Sequence, residues 1–136
     1  MNEDEILVQE INSEFYHAFE NLSIERMERL WKHEDNIVCI HPGWDLFTGW
    51  LAIRESWITI FTNTEMIKFI ITNTKVRFLG NIAVVVCLEN IETLVNGEIL
   101  RLGVIATNVF EQLDNQWQLI HHHGSSVSNY IRPNIS

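Results

Sequence analysis

The sequence predicts an α+β fold in which three helices are followed by a strongly curved antiparallel sheet. Apolar residues recur at helical spacing within residues 6–61, and from Met66 onward apolar and polar residues alternate as they do in strands. Two-residue turn signals separate the long strands, and Asn96-Gly97 is the strongest of them. Because strands of this length twist and curl, we expect the sheet to form a cone around the apolar faces of the helices.

Length and charge limit the classes of protein that need to be considered. At 136 residues the chain has the size of one domain, and we expect a single domain over residues 1–136 with its core at about residues 5–126. Hydrophobic residues make up 46% of the chain, as in an ordinary globular protein. The net charge of −9 argues against nucleic acid and anionic membranes as partners, because both are bound by clustered Lys and Arg.

The two cysteines and the N-terminus bear on the cellular compartment. Cys39 and Cys87 lie within apolar runs at a spacing that matches no metal-binding motif, so we expect buried free thiols of a reducing compartment. The first residues are acidic where a secretory signal would be basic, and no apolar run is long enough to cross a membrane. These features predict a cytoplasmic protein.

The helices are predicted one after another from their apolar stripes. The first covers residues 6–22, and its stripe consists of Leu7, Ile11, Phe15, Ala18 and Leu22. Ser23 is expected to cap a second helix that carries Ile24, Met27, Leu30 and Trp31 on one side. The third runs from Trp50 to about Phe61.

The strands follow from alternation and from turn residues. A short strand over residues 37–41 is expected to end at Pro42, which has no backbone donor, and a loop then runs to Gly49. Four long strands joined by two-residue turns form a meander over residues 66–126, and the short strand is expected to add to its edge. The tail from Ser125 to Ser136 is predicted to be irregular or only partly ordered.

The last long strand contains three consecutive histidines, His121, His122 and His123. Strict alternation predicts that one face, directed into the core, carries Trp117, Leu119, His121, His123 and Ser125. The same alternation directs His122 outward, toward solvent or a partner subunit. We expect the inner histidines to meet His41, at the end of the first strand, inside one cavity.

Several of these segments resemble the nuclear-transport-factor-2-like (NTF2-like) superfamily and, within it, the SnoaL-like group. The matching pieces are Ile40-His41-Pro42-Gly43, then Thr48-Gly49 with the helix that follows, and the run from Trp117 to Ser125. This resemblance implies a cone-shaped α+β fold, three helices packed in the curved sheet, and a homodimer formed through the outer face of the sheet. It leaves function open, because the same fold carries many activities.

Two members of the superfamily indicate opposite kinds of function. In ketosteroid isomerase the general base directly precedes a proline at the end of the first strand, where this chain has His41. The resemblance places Asn108 at the position of one oxyanion donor of that enzyme. At the position of the other donor this chain has Phe15, with Tyr16 next to it. The last strand is also similar to the association domain of calcium/calmodulin-dependent kinase II, which assembles oligomers.

The candidate residues suit acid–base chemistry. A neutral imidazole, with a pKa near about 6.5, makes His41 a workable general base, and His123 is expected to return the proton. Asn108 is expected to donate a hydrogen bond to a developing enolate. Ligand contacts are expected from Tyr16, Phe19, Trp44, Trp57, His121 and Ser125.

The sequence therefore predicts a homodimeric protein that binds a small apolar carbonyl compound in an internal pocket. It is expected to perform an isomerase, cyclase or dehydratase type of reaction without a cofactor. The alternative is a non-catalytic association or ligand-sensing module. A metal site formed by His41, His121 and His123 is less favoured, because no Glu or Cys stands at a recognised ligand spacing.

Overall fold

Three helices and one six-stranded sheet account for the regular secondary structure of residues 2–133, which are the residues described by the computed structural model. The helices are α1 (Glu3–Glu20), α2 (Ile24–Leu30) and α3 (Trp50–Thr62). The strands are β1 (Val38–Ile40), β2 (Leu46–Thr48), β3 (Met66–Leu79), β4 (Ile82–Val95), β5 (Glu98–Leu113) and β6 (Gln116–Ser126). The predicted α+β cone with an open, curved sheet is confirmed.

The strands lie in the order β2-β1-β6-β5-β4-β3. Strand β1 runs parallel to β6, and all other neighbours are antiparallel. The predicted loop between Gly43 and Gly49 is wrong in one respect, because three of its residues form β2, in which Phe47 pairs with Cys39. As a result β2, rather than β1, occupies the edge of the sheet.

Side-chain caps explain where the first two helices begin. The Asn2 side chain accepts a hydrogen bond of 2.8 Å from the Glu5 amide, so α1 starts three residues before the predicted position. The hydroxyl of Ser23 accepts one of 3.1 Å from the Arg26 amide, which confirms the predicted cap of α2. Both caps satisfy amides that have no partner within their helix.

Aromatic side chains of α1 and α3 form the centre of the core. Phe15 and Trp57 are completely buried and pack edge-to-face with their ring centroids 5.7 Å apart. Phe19 packs edge-to-face against the same indole at 4.9 Å. This cluster fixes α1 and α3 relative to each other on the concave side of the sheet.

Strand β6 contains a β-bulge that changes the direction of its side chains. Phe110 of β5 pairs with Leu119, but the preceding residue, Val109, pairs with His121. Ile120 is therefore an extra residue without a partner on β5. Because side chains alternate along a strand, one extra residue reverses the faces of all positions that follow it.

Residues 127–133, beyond β6, have no regular secondary structure, as predicted, and are held on the outer face of the sheet, whereas Ser125 and Ser126 of the predicted tail belong to β6. The Val127 amide donates to the Gly103 carbonyl at 2.9 Å, and the Tyr130 hydroxyl donates to Asn90 Oδ1 at 2.5 Å. The Tyr130 ring lies over Gly103, where a Cβ atom would come within 2.1 Å of it. Residues 134–136 of the predicted tail lie outside the described residues.

Two further expectations concern the cysteines and the membrane. Cys39 and Cys87 are both free and buried, as predicted. Within residues 2–133, no helix has the length and apolar character needed to cross a membrane.

Gly103→Ala is expected to displace the tail, because the new methyl group would occupy the position of the Tyr130 ring. Loss of the hydrogen bond to Asn90 would lower the free energy of unfolding by about 1 kcal/mol in urea denaturation. Hydrogen exchange of the Val127 amide should become faster as well. Ile131→Ala is the control, since that side chain is 86% exposed. Unchanged exchange at Val127 in the Gly103 variant would contradict the packing described.

Candidate functional site

A cavity of about 260 Å³ lies between the helices and the concave face of the sheet. Its wall is largely apolar and includes Phe19, Ile91 and Val104. Trp44, which is 41% exposed, stands at its edge and is also in contact with the solvent. Three side chains with titratable groups belong to the wall, namely His41, Glu89 and His122, and all three are buried.

His122 faces the cavity because the bulge at Ile120 reverses the alternation of β6. Its Nδ1 lies 2.6 Å from Asn108 Oδ1. Among the described residues, its Nε2 makes no hydrogen bond. Because Nδ1 is directed at Asn108, which lies behind the wall, we infer that Nε2 is the nitrogen on the cavity side of the ring. Burial, reinforced by the neighbouring His41, holds the pKa of His122 well below its ordinary value, so the imidazole is neutral near pH 7.

Glu89 is a buried carboxyl group in the middle of β4, with an exposed fraction of only 3%. The Tyr16 hydroxyl donates a hydrogen bond of 2.6 Å to its Oε2. Burial raises the pKa of Glu89 to about 7, even though the hydrogen bond from Tyr16 acts in the opposite direction. The carboxyl group is therefore divided between its neutral and charged forms near neutral pH.

His41 lies directly after β1 and before Pro42, as predicted, and is also buried. Its Nε2 is 2.9 Å from the hydroxyl oxygen of Ser56, and that hydroxyl donates to the Ile53 carbonyl at 2.6 Å. Burial lowers the pKa of His41 to about 4. Its ring centroid is 6.3 Å from that of His122, so the two histidine-bearing segments do meet inside the cone.

The structure corrects the predicted orientation of the other residues on the last strand. His123 and Ser125 are exposed on the outer face, and His121 lines a separate groove on that face. His122, which was expected to point outward, is the inner histidine. The reason is the single extra residue at Ile120, because the prediction assumed that side chains alternate along β6 without a bulge.

Asn108 is buried, but its predicted role as a donor to an enolate does not fit its contacts. Its Nδ2 already donates to Asn12 Oδ1 at 2.9 Å and to the Tyr16 hydroxyl at 3.2 Å. It stands behind His122 and does not belong to the cavity wall. Tyr16 likewise stands behind the wall, where its hydroxyl contacts Glu89.

The remaining predicted ligand contacts divide into two groups. Phe19 and Trp44 belong to the cavity wall. Trp57 is fully buried beneath His41, with the two rings edge-to-face at 4.6 Å, and is part of the core.

The described residues contain no group of three or more His, Cys, Asp or Glu side chains arranged to hold a metal ion. The ligand set His41, His121 and His123 is not assembled, because His41 faces the cavity while the other two face outward. A larger groove of about 450 Å³ on the outer face contains Lys32, Glu111 and His121. There Lys32 is paired with Glu111 at 2.5 Å, so this groove offers ion-paired surface groups rather than buried reactive ones.

Sequence reasoning missed Glu89, although a signal for it exists. Cys87, Glu89 and Ile91 alternate along β4, and the flanking apolar residues predict that this face is inward. A carboxyl group on an inward face is a candidate for a shifted pKa. His122 was missed for a different reason, since a bulge without glycine has no signature in the sequence.

Comparisons with known proteins identify the family of the chain. A family model described as a SnoaL-like domain matches residues 8–129. The F-box protein SKIP8 of Arabidopsis thaliana is 30% identical over 115 residues, which make up 85% of this chain and 47% of that protein. The chain thus spans about half the length of this curated relative.

Solved structures show the same fold. A protein of Streptomyces avermitilis, proposed to be a dehydratase of the NTF2-like family, is 32% identical with a TM-score of 0.86, over 92% of this chain and 97% of that one. A proposed calcium/calmodulin-dependent protein kinase type II association domain from Thiobacillus denitrificans is 24% identical with a TM-score of 0.78, over 87% and 93% of the two chains. The match over residues 8–129 and these structures lead to one conclusion: the chain belongs to the SnoaL-like family of the NTF2-like fold.

Proposed function

We propose that the protein is a small-molecule enzyme that removes water from an uncharged hydroxy-carbonyl compound by acid–base catalysis. One observation carries the proposal: a buried imidazole and a buried carboxyl group, His122 and Glu89, belong to the wall of the same apolar cavity, where burial favours the neutral form of each. A general acid whose pKa is close to the operating pH is well suited to proton transfer.

The proposed reaction assigns one proton transfer to each group. His122 Nε2 takes the proton from the carbon next to the carbonyl, while protonated Glu89 gives its proton to the hydroxyl group on the following carbon. The carbon–oxygen bond breaks, a carbon–carbon double bond forms, and water leaves. The imidazolium and carboxylate that result return to their neutral forms when a proton moves from one to the other through water.

The walls of the cavity favour a small and uncharged substrate. The volume of about 260 Å³ lies just below the roughly 300–1,000 Å³ range of pockets for drug-sized ligands. Among the described residues, the cavity wall contains no Lys or Arg, so an anionic substrate would have no fixed positive charge to pair with. The similar protein of Streptomyces avermitilis, itself proposed to be a dehydratase, supports this reaction class over an isomerase or a cyclase.

A second candidate function is a non-catalytic association module. The observation that favours it is the apolar outer face of the sheet, where Ile105 is 50% exposed and Val84 and Val86 are half-buried. A face of this kind is suited to contact with a second copy of the chain. A homodimer of this type, in the cytoplasm, is compatible with either function and is part of the proposal.

Turnover should depend on His122 and not on its outward neighbour His123. We expect His122→Gln and Glu89→Gln each to lower kcat/KM by about 100-fold or more, and His123→Gln to change it less than about threefold. The measurement is the formation of enone from a panel of uncharged cyclic β-hydroxyketones, of which 3-hydroxycyclohexanone is the smallest. The absence of turnover across the panel, or an equal loss in the His123 variant, would refute the proposal.

The pH profile of kcat/KM identifies the acid. If protonated Glu89 is the proton donor, activity falls as the pH rises through about 7, where the carboxyl group loses its proton. Activity that instead rises through the same pH would identify the carboxylate as the base and would contradict the roles of Glu89 and His122.

The pH dependence of the free energy of unfolding tests the raised pKa of Glu89 and requires no substrate. Its folded pKa of about 7 lies above the ordinary value of 4.5, so stability is lost as the pH rises from the ordinary value through the folded one. The stability gained on Glu89→Gln should therefore be about 2–3 kcal/mol greater at pH 8 than at pH 5. Urea denaturation at both pH values measures this difference. Glu98→Gln, at an exposed position, is the control. An equal effect of Glu89→Gln at both pH values would mean that the pKa of Glu89 is not raised.

A further inference from the structure

We propose that Asn108 and Ser56 are positioning residues that hold the two inner imidazoles, His122 and His41, in opposite neutral tautomers. This leaves Nε2 of His122 as the imidazole lone pair that faces the cavity. The inference deepens the proposed function and rests on it for the role of that lone pair, but the tautomers themselves are observable without a substrate.

The Tyr16 hydroxyl has a single hydrogen, and its position decides what this group offers to Asn108. Glu89 Oε2 lies 2.6 Å away, closer than Cys87 Sγ at 3.3 Å, and a carboxyl oxygen is the stronger acceptor. The hydrogen therefore goes to Glu89. Toward Asn108, at 3.2 Å, the same hydroxyl has only a lone pair to offer.

The orientation of the Asn108 side-chain amide follows from its neighbours. One end of this amide faces two acceptors, the Tyr16 hydroxyl and Asn12 Oδ1. Only the NH₂ group can bond to two acceptors, so the opposite end, which faces His122, is the carbonyl oxygen Oδ1. Because Asn108 is completely buried, no water is at hand to stabilise a flipped amide.

The Asn108 carbonyl in turn fixes the tautomer of His122. Nδ1 of this ring is 2.6 Å from an oxygen that can only accept, so Nδ1 carries the hydrogen. In the other tautomer two lone pairs would face each other inside the core, and no hydrogen bond would replace the one that is lost. The neutral ring therefore presents an unprotonated Nε2 to the cavity.

His41 is held in the opposite tautomer. The hydrogen of the Ser56 hydroxyl is donated to the Ile53 carbonyl at 2.6 Å, so its oxygen accepts from His41 Nε2 at 2.9 Å. The hydrogen of His41 is thus on Nε2, and this nitrogen is occupied by Ser56. The Cys39 sulfur lies 3.6 Å from Nε2, where it can act as a second, weak acceptor, and 4.0 Å from Nδ1. Of the two imidazoles, His122 is the one prepared to accept a proton from a ligand.

The test is long-range ¹⁵N–¹H correlation NMR of the full chain, labelled with ¹⁵N-histidine and without a polyhistidine tag, at pH 7. We expect Nδ1 of His122 to be protonated and its Nε2 unprotonated, and the reverse pattern for His41. The wild-type spectrum alone decides whether the tautomers are opposite. A protonated Nε2 at His122 would overturn the proposal, whatever the variants do.

Two variants serve as reciprocal controls. Asn108→Leu should move the hydrogen of His122 to Nε2 and leave His41 unchanged, whereas Ser56→Ala should release His41 and leave His122 unchanged. Thr107→Val, on the outer face of the same strand, should alter neither ring. If Asn108→Leu folds and His122 keeps its Nδ1 hydrogen, the assignment of Asn108 is wrong.

Kinetics separate this inference from the proposed function. On 3-hydroxycyclohexanone, Asn108→Leu should lower kcat by about tenfold or more with KM within about threefold, because a wrong tautomer impairs proton transfer more than binding. Opposite tautomers without any turnover would leave this inference intact and refute the dehydratase. Turnover with an unprotonated Nδ1 at His122 would refute this inference and the assignment of His122 Nε2 as the base, but would leave the dehydration reaction itself intact.

Discussion

The β-bulge at Ile120 is the constraint on which the rest of the site depends. The edge of β6 bonds to two different segments, with the Lys32 amide donating to the Leu119 carbonyl before the bulge and β1 pairing with His121 after it. The extra residue lies between these two contacts and reverses the face of every later side chain. It brings His122 into the cone and turns His123 outward, so the backbone determines which histidine belongs to the cavity wall.

Burial then determines the charge of each group around the cavity. The same loss of solvent raises the pKa of Glu89 and lowers the pKa values of His41 and His122, so that near pH 7 both imidazoles are neutral and the carboxyl group is divided between its two forms. Neutral groups still need hydrogen-bond partners in the core, and Tyr16 and Asn108 provide them. The buried polar network therefore satisfies the polar groups of the core and, in the function proposed here, also directs an imidazole lone pair toward the cavity.

Much of the fold follows from the sequence, whereas the site follows only in part. The apolar stripe of α1, the cap at Ser23 and the hairpin at Asn96-Gly97 are local signals, and local signals are enough for helices and hairpins. The position of His41 at the end of β1 could be predicted in the same way, because Pro42 stops the strand. The orientation of His122 could not be predicted in this way, because it depends on contacts between β6 and residues about eighty positions earlier in the chain. Nothing in the local sequence around Ile120 indicates that a bulge occurs there.

Chemical modification of the folded protein with diethyl pyrocarbonate, resolved residue by residue with tandem mass spectrometry, tests the orientation of β6 most directly. His123 is exposed and should react quickly, whereas His122, which is 2% exposed, should react much more slowly, since the reagent can reach it only through the cavity. Rapid modification of His122 together with protection of His123 would mean that β6 has no bulge at Ile120. In that case the cavity would contain a different set of histidines, which would contradict the role proposed for His122 as the inner proton acceptor.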